Sequence, residues 1–281
     1  MLSQFNFKTQ FNVVTSVFMA RLKMISRYKG GVLIEILIPT FLAAIPILLG
    51  RSLGGENIEE NFLKNTGTAN YVAYMVIGAN IFMIVAGSLW NFGFWVRREQ
   101  QTGTLESIYL TPTNKILILG GVAFYGAFRN IINFGIAFIL GCYIFGVNPF
   151  QGNILVAILF LSFGLIPIYG LSFLYGALIL KLKEANALIQ LAQWIVAFLM
   201  GIYYPITVFP KFLRYLALTF PPTWMNNGIR ASLLEVSYFF KTWYQDLAVL
   251  WVFCVVAPLL GYWVFLSTEK AIKKNEGVGK F

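Results

Sequence analysis

No charged residue falls within the stretches 65–96, 130–180 and 247–268 of this chain. Each exceeds the roughly 20 residues that an apolar helix needs to cross the hydrocarbon core of a bilayer. A buried helix in a soluble protein is the alternative for any one run, but several runs in one chain argue against it. Composition agrees, with 58% hydrophobic and only 11% charged residues, against about 25% charged in a soluble domain. A soluble core of this size could not hide so much apolar surface, so the solvent is lipid.

The chain has no histidine. That removes zinc sites of the His-Glu-x-x-His type, Ser-His-Asp triads and haem ligation by histidine. It also leaves Gly170-Leu171-Ser172 without the base an intramembrane serine protease would want. Cys142 and Cys254 each sit inside an apolar run and read as small buried hydrophobes rather than a disulfide framework. The net charge of +10 fits basic cytoplasmic edges facing anionic lipid, not nucleic acid.

Residues 1–30 hold Lys8, Arg21, Lys23, Arg27 and Lys29 and no acid. Phe11, Val14, Phe18, Leu22 and Ile25 recur at helical spacing, which predicts an amphipathic helix on the inner membrane face. A cleaved signal peptide fits poorly, because the basic region is long and no small-residue cleavage site follows a short apolar core. Six spans are expected at 31–49, 70–95, 123–146, 154–180, 187–204 and 247–267. Pro39 and Pro46 can kink the first. With both termini cytoplasmic, the inner segments carry 14 Lys and Arg and the outer ones six, with Arg129 inside a span. The positive-inside rule selects that orientation. One all-α membrane domain over 1–281, without internal repeat, is the expected organisation.

The loop after the second span runs Arg97-Arg98-Glu99-Gln100-Gln101-Thr102-Gly103-Thr104-Leu105-Glu106-Ser107-Ile108-Tyr109-Leu110-Thr111-Pro112. Thr102 or Thr104 can cap a short helix, and Thr111-Pro112 would end it. Leu105, Ile108 and Tyr109 share one face, so the piece should lie parallel to the membrane. A second irregular stretch precedes the last span: Gly201-Ile202-Tyr203-Tyr204-Pro205, Phe209-Pro210, Pro221-Pro222-Thr223 and Gly228-Ile229-Arg230. Its prolines break one long helix into pieces, leaving Lys211, Arg214 and Arg230 free to sit at the outer headgroup level. Irregular backbone at membrane depth must be covered by protein or line a wet cavity. A re-entrant helical hairpin forming an outer lid is therefore expected at about 205–236.

The string Arg98-Glu99, Gly103-Thr104-Leu105-Glu106, Leu110-Thr111-Pro112 resembles the inner loop of ABC-2 type permeases, the membrane subunits of one class of ATP-binding-cassette exporters. The 201–234 stretch is similar to the same family's outer hairpin. The resemblance covers essentially the whole chain and is nearest the drug- and antibiotic-exporter branch. It implies that Arg98, Glu99, Gly103, Thr104, Leu105, Glu106, Leu110, Thr111 and Pro112 form a cytoplasmic coupling helix docking on an ATPase. It implies an outer gate at Pro205, Pro210, Pro221 and Arg230. It further implies that spans two and five line a pathway, through Asn80, Met83, Asn91 and Phe94 and through Gln190, Trp194 and Phe198. The last three fall at i, i+4 steps on one helix face, and ordinary packing or interfacial aromatics explain any one of them equally well.

Glu35 and Arg129 are the ionisable residues placed within spans. A charge at membrane depth is costly and usually finds a partner. Both fall within roughly 10 Å of the inner edge at ~1.5 Å per residue. A Glu35–Arg129 pair is geometrically possible, with snorkelling to the interface the rival.

The chain has no G-x-x-x-x-G-K-[ST] loop, and Gly277-Val278-Gly279-Lys280 is only a fragment of one. The chain is therefore not expected to be an enzyme or to bind a metal or cofactor. ATP and magnesium belong to a separate ATPase, two copies of which the resemblance implies. Six spans make half a pathway, so a homodimer is the simplest assembly. The function expected is a plasma-membrane exporter subunit for a hydrophobic or amphipathic compound. A lipid-linked glycan is the alternative cargo. A secondary transporter or channel would want ionisable residues deep in several spans, and a membrane enzyme a convergent polar cluster.

Overall fold

The structure is a computed structural model that describes residues 7–27, 29–54, 58–93, 115–148, 152–181, 185–234 and 236–276. Among these, every regular element is helical. In chain order they are α1 (Phe7–Arg27), α2 (Lys29–Gly54), α3 (Ile58–Thr66), α4 (Tyr71–Gly93) and α5 (Lys115–Phe145). There follow α6 (Ile154–Lys181), α7 (Ala185–Leu199), a 3₁₀ turn at Ile206–Val208, α8 (Lys211–Leu218), α9 (Pro221–Leu234) and α10 (Trp243–Glu276).

Five stretches among the described residues are long and apolar enough to cross a membrane: Gly30–Leu53, Tyr71–Trp90, Gly120–Phe145, Ile154–Leu178 and Trp243–Thr268. The all-α membrane architecture follows, but the span expected at 187–204 is shorter than drawn. α7 has 15 residues, which rise about 22 Å against a core about 30 Å thick. It stops because Gly201 takes φ +62°, a left-handed geometry that glycine adopts without a Cβ penalty. Other helices overrun their expected limits. α5 starts at Lys115 rather than 123, and α10 runs on to Glu276. Hydropathy marks the part of a helix in lipid and is blind to helical turns beyond it.

α4 is the central strut. Of its apolar window 83% is buried, against 22% for α2 and 17% for α10, which keep broad faces for lipid. Ala73, Val76, Ile77, Ala79, Ile81 and Val85 are fully enclosed along it. The most extensive helix pair is α6 with α10. There a Cβ at Gly170 would overlap the Ala257–Pro258 backbone, and one at Gly261 would overlap the Gly170 carbonyl. Small residues let backbones approach where lipid supplies no hydrophobic drive to associate. Pro39, Pro46, Pro167 and Pro258 all lie inside continuous helices.

α1 is held against α5 rather than lying alone on the surface. Phe18 meets the rings of Phe124, Tyr125 and Phe128 at 5.5, 5.7 and 5.5 Å between centroids, and Gly121 gives room to Val17. Met19, Leu22 and Met24 stay exposed, as a membrane-facing edge requires. α3 was not anticipated, because its nine residues are mostly polar. Phe62 anchors it edge-on to Tyr71 and Tyr74, at 6.1 and 5.2 Å. The turn at Gly67 (φ +83°) then leads to Asn70, whose Oδ1 accepts from the Ala73 amide at 3.0 Å and caps α4.

Candidate functional site

Two polar constructions stand out in this apolar bundle. The first is a cavity of about 440 Å³ between α1, α2, α4, α5 and α6. Tyr125, Arg129, Asn130 and Asn133 recur at i, i+4, i+5 and i+8, so one stripe of α5 faces it. Asn80, Met83 and Ser88 of α4 line the opposite wall, Glu35 comes from α2, Tyr169 from α6 and Arg21 from α1.

The stripe is cross-linked. Arg129 forms an ion pair with Glu35 through Nη2 and Oε2. Asn133 Nδ2 donates to the same Oε2 at 3.0 Å. Asn130 Nδ2 donates to Ser88 Oγ at 3.2 Å and to Tyr169 Oη at 3.4 Å. Gly126 admits the Tyr169 hydroxyl, which any Cβ there would overlap. The Glu35–Arg129 pair is thus present and snorkelling is not needed to explain it. Arg129 lies about two turns further along its helix than expected, since α5 begins at Lys115.

The second construction joins α9 to α4 and to the end of α7. The last carbonyls of a helix have no partner within it, and α9 supplies donors for them. Thr223 Oγ1 donates to Leu199 O at 3.4 Å, and Asn226 Nδ2 to Met200 O at 2.8 Å and Gly201 O at 3.3 Å. Arg230 donates from Nη1 to Gly201 O at 2.8 Å and from Nη2 to Ile202 O at 2.5 Å. Its Nε and Nη2 reach Tyr74 O at 3.2 and 3.0 Å, and the guanidinium lies 3.6 Å from the Tyr74 ring centroid. Arg230 is 2% exposed. It is enclosed by protein rather than open to a headgroup layer. Among the described residues its hydrogen-bond partners are all backbone carbonyls. Carbonyl dipoles, an aromatic face and the negative end of α7 offset the buried charge. Burial presses its pKa down to about 10, leaving it cationic at neutral pH. Lys211 and Arg214, by contrast, are exposed.

With the bundle, the cavity and the buried hairpin in view, the comparison with known families is decisive. A family model described as an ABC-2 family transporter protein matches residues 51–263, most of the chain. The chain belongs to the ABC-2 transporter family. A search of curated proteins returns no match. The matched region takes in the α4, α5 and α6 walls of the cavity and the whole hairpin, whereas Arg21 and Glu35 precede it. This ABC-2 chain is a multi-pass membrane protein, and its family pairs with an ATP-binding-cassette ATPase.

The residues singled out from sequence fall in different places in the ABC-2 fold. Phe94 and the coupling stretch, Arg98 to Pro112, lie outside the described residues. Asn80 and Met83 line the cavity, and none of the α7 candidates does. Gln190, Trp194 and Phe198 are exposed on α7, Trp194 to 67%. Phe198 also meets the tilted ring of Phe209 at 4.8 Å between centroids. Gln193, not singled out, does reach α4, donating to Ala86 O at 3.4 Å. Pro205 and Pro210 cap the 3₁₀ turn and α8, and Pro221 opens α9. Each proline thus begins a piece, where its missing N–H costs nothing. Asn130, Asn133 and Gly78 were missed. The amides were legible as polar residues at helical spacing in a charge-free run. Gly78 was not, because its role exists only once Ile202 and Arg230 come to rest against it.

Proposed function

We propose that the chain is the permease subunit of an exporter, moving a hydrophobic or amphipathic compound from the cytoplasmic side outward across the plasma membrane. Family membership over residues 51–263 carries this reading. The polar cavity sunk into an apolar bundle supports it, because a pathway through lipid needs groups that replace water.

In this reading two copies of the chain form a C2 dimer, with α7 offering the exposed face of Leu191, Trp194, Ile195 and Phe198 to the second copy. Two ATPase subunits hydrolyse ATP with magnesium, and residues 98–112 transmit their motion as coupling helices. Both termini are cytoplasmic, in keeping with the excess of Lys and Arg on that side.

The test is purification of the tagged full-length chain from native membranes, followed by transport in inside-out vesicles. An ATPase should co-purify, and a fluorescent amphiphile should accumulate only with hydrolysable ATP. Glu99→Ala with Glu106→Ala should abolish accumulation while the chain remains in the membrane. Export unaffected by that double change, or purification without any ATPase, overturns the reading.

A further inference from the structure

The amides on the cavity wall have their donors committed. Asn80 Nδ2 donates to Val76 O at 2.9 Å, one turn back on its own helix. Asn133 Nδ2 donates to Glu35 Oε2 at 3.0 Å, and Asn130 Nδ2 divides between Ser88 Oγ and Tyr169 Oη. For Asn80 and Asn133 the orientation has no alternative, because a backbone carbonyl and a carboxylate can only accept. Each therefore keeps an amide oxygen that no described residue supplies with a donor. Asn80 stands in the middle of α4 and is 2% exposed. The cavity is the space in which its oxygen can find a donor, and an amide at such a depth is costly until it does.

The charges on the wall are committed to each other. Arg129 and Glu35 form an ion pair, and Arg21 on α1 is not free either. A charged head of either sign would be served only by breaking the Glu35–Arg129 pair, and a half-broken pair away from water is strongly unfavourable. A hydroxyl makes no such demand. It donates to an amide oxygen and brings no charge to be neutralised.

Pro39, Ile84, Val122 and Phe134 supply apolar wall beside these groups. Met24 and Glu35 are exposed at the edge of the cavity, and Leu33, Ile34 and Ile38 are exposed along α2 on either side of Glu35. A volume of about 440 Å³ suits a small head and the first carbons of a chain, with the rest of the chain outside among lipid.

We propose that this cavity, enclosed within one copy of the chain, binds the uncharged, hydroxyl-bearing head of an amphiphile, of the glycerol or sugar kind, whose tail stays in lipid. The head donates to the amide oxygens of Asn80 and Asn133 and leaves the Glu35–Arg129 pair intact. This deepens the export reading by giving the cargo a head class, and rests on it only for the step after binding.

The experiment uses the full-length chain in phosphatidylcholine nanodiscs and a dodecyl glycerol ether carrying a diazirine near its head, with cross-linked residues read by mass spectrometry. Cross-links should concentrate on Pro39, Met83, Ile84, Val122 and Phe134. The plain dodecyl glycerol ether should compete them away. Its di-O-methyl derivative, which keeps the oxygens and loses the donors, should not, and neither should dodecanoate or dodecylammonium. Dioleoylglycerol in the disc separates the sources: strong competition identifies a resident lipid, weak competition a single-chain compound, and either supports a neutral-head site. Asn80→Leu removes the free oxygen and spares the ion pair. It should lower labelling about three- to tenfold, the range for one neutral hydrogen bond. Should that variant not fold, Met83→Trp, which fills the cavity from the same helix, should lower labelling at least as much.

Equal competition by the methylated derivative overturns the proposal, and so does equal competition by either charged amphiphile. Labelling that favours the lipid-facing Leu33, Phe41 and Ile45, or a folded variant that labels like the wild-type chain, overturns it too. Labelling needs neither ATP nor a partner. Donor-selective labelling without ATP-driven export refutes the exporter reading alone, and export without donor-selective labelling refutes the site alone.

Discussion

Replacing Arg230 by lysine and, separately, by methionine distinguishes two accounts of why a buried cation is kept in the hairpin. Methionine removes the charge together with its desolvation cost. Tyr74 O keeps the regular helical bond from Gly78, and Gly201 O keeps Asn226 at 3.3 Å. Ile202 O then loses the donor that Arg230 supplied. One unsatisfied buried carbonyl costs about 1–3 kcal/mol, with about 2 kcal/mol more for the lost cation–π contact. Lysine keeps the charge but not the planar fork, so it serves one of the three carbonyl positions at a time and cannot stack on Tyr74. A bare buried ammonium costs about 3–5 kcal/mol when its compensation is removed. Lysine should therefore be at least as damaging as methionine, although it is the more conservative change by charge. Thermal unfolding in detergent, followed by fluorescence-detected gel filtration, measures the order. A lysine variant as stable as the parent beside a collapsed methionine variant would show that charge alone matters, and the fork argument would fall.

Gly78→Ala should lower the same midpoint by several degrees, because its Cβ would overlap the Ile202 carbonyl and Arg230, and overpacking costs about 1–3 kcal/mol. Gly261→Val, aimed at the Gly170 carbonyl, should part α6 from α10 and show as new protease cleavage in α10. Glu35→Gln and Arg129→Gln should each destabilise the chain, with the double variant milder than the sum by about 1 kcal/mol or more. Additive unfolding shifts would remove the pair from the account.

Five candidate spans were legible because lipid imposes a demand that sequence cannot conceal: a long apolar run with few charges. The helical breaks of the hairpin were legible through Pro205, Pro210 and Pro221, since proline announces where a helix can begin. What could not be read was partnership. Arg230 looks the same in sequence as Arg214, yet one is enclosed by carbonyls and the other is exposed. The difference lies in α9 folding inward, and that depends on Gly78, Gly164 and Gly228 leaving room for Arg230, Met225 and Phe160. The Glu35–Arg129 pair could be posed from sequence, but not its setting among Asn130, Asn133 and Tyr169. α3 went unseen for another reason: its two anchors, Ile58 and Phe62, are too little apolar signal to mark a helix.

The shortness of α7 bears on the surrounding bilayer. α5 and α10 have 31 and 34 residues, while α7 ends after 15. α8 follows it, with Phe212, Tyr215 and Leu216 exposed beside Lys211 and Arg214. A bilayer around one copy would therefore meet taller helices at α5 and α10 than at α7. Where the low flank of a single copy meets lipid before a second copy covers it, the leaflets must thin, at a cost of a fraction of a kcal/mol per Å of mismatch. Acyl-chain length thereby becomes a variable of this protein's conformational equilibrium, with shorter lipids favouring whatever arrangement leaves the low flank exposed.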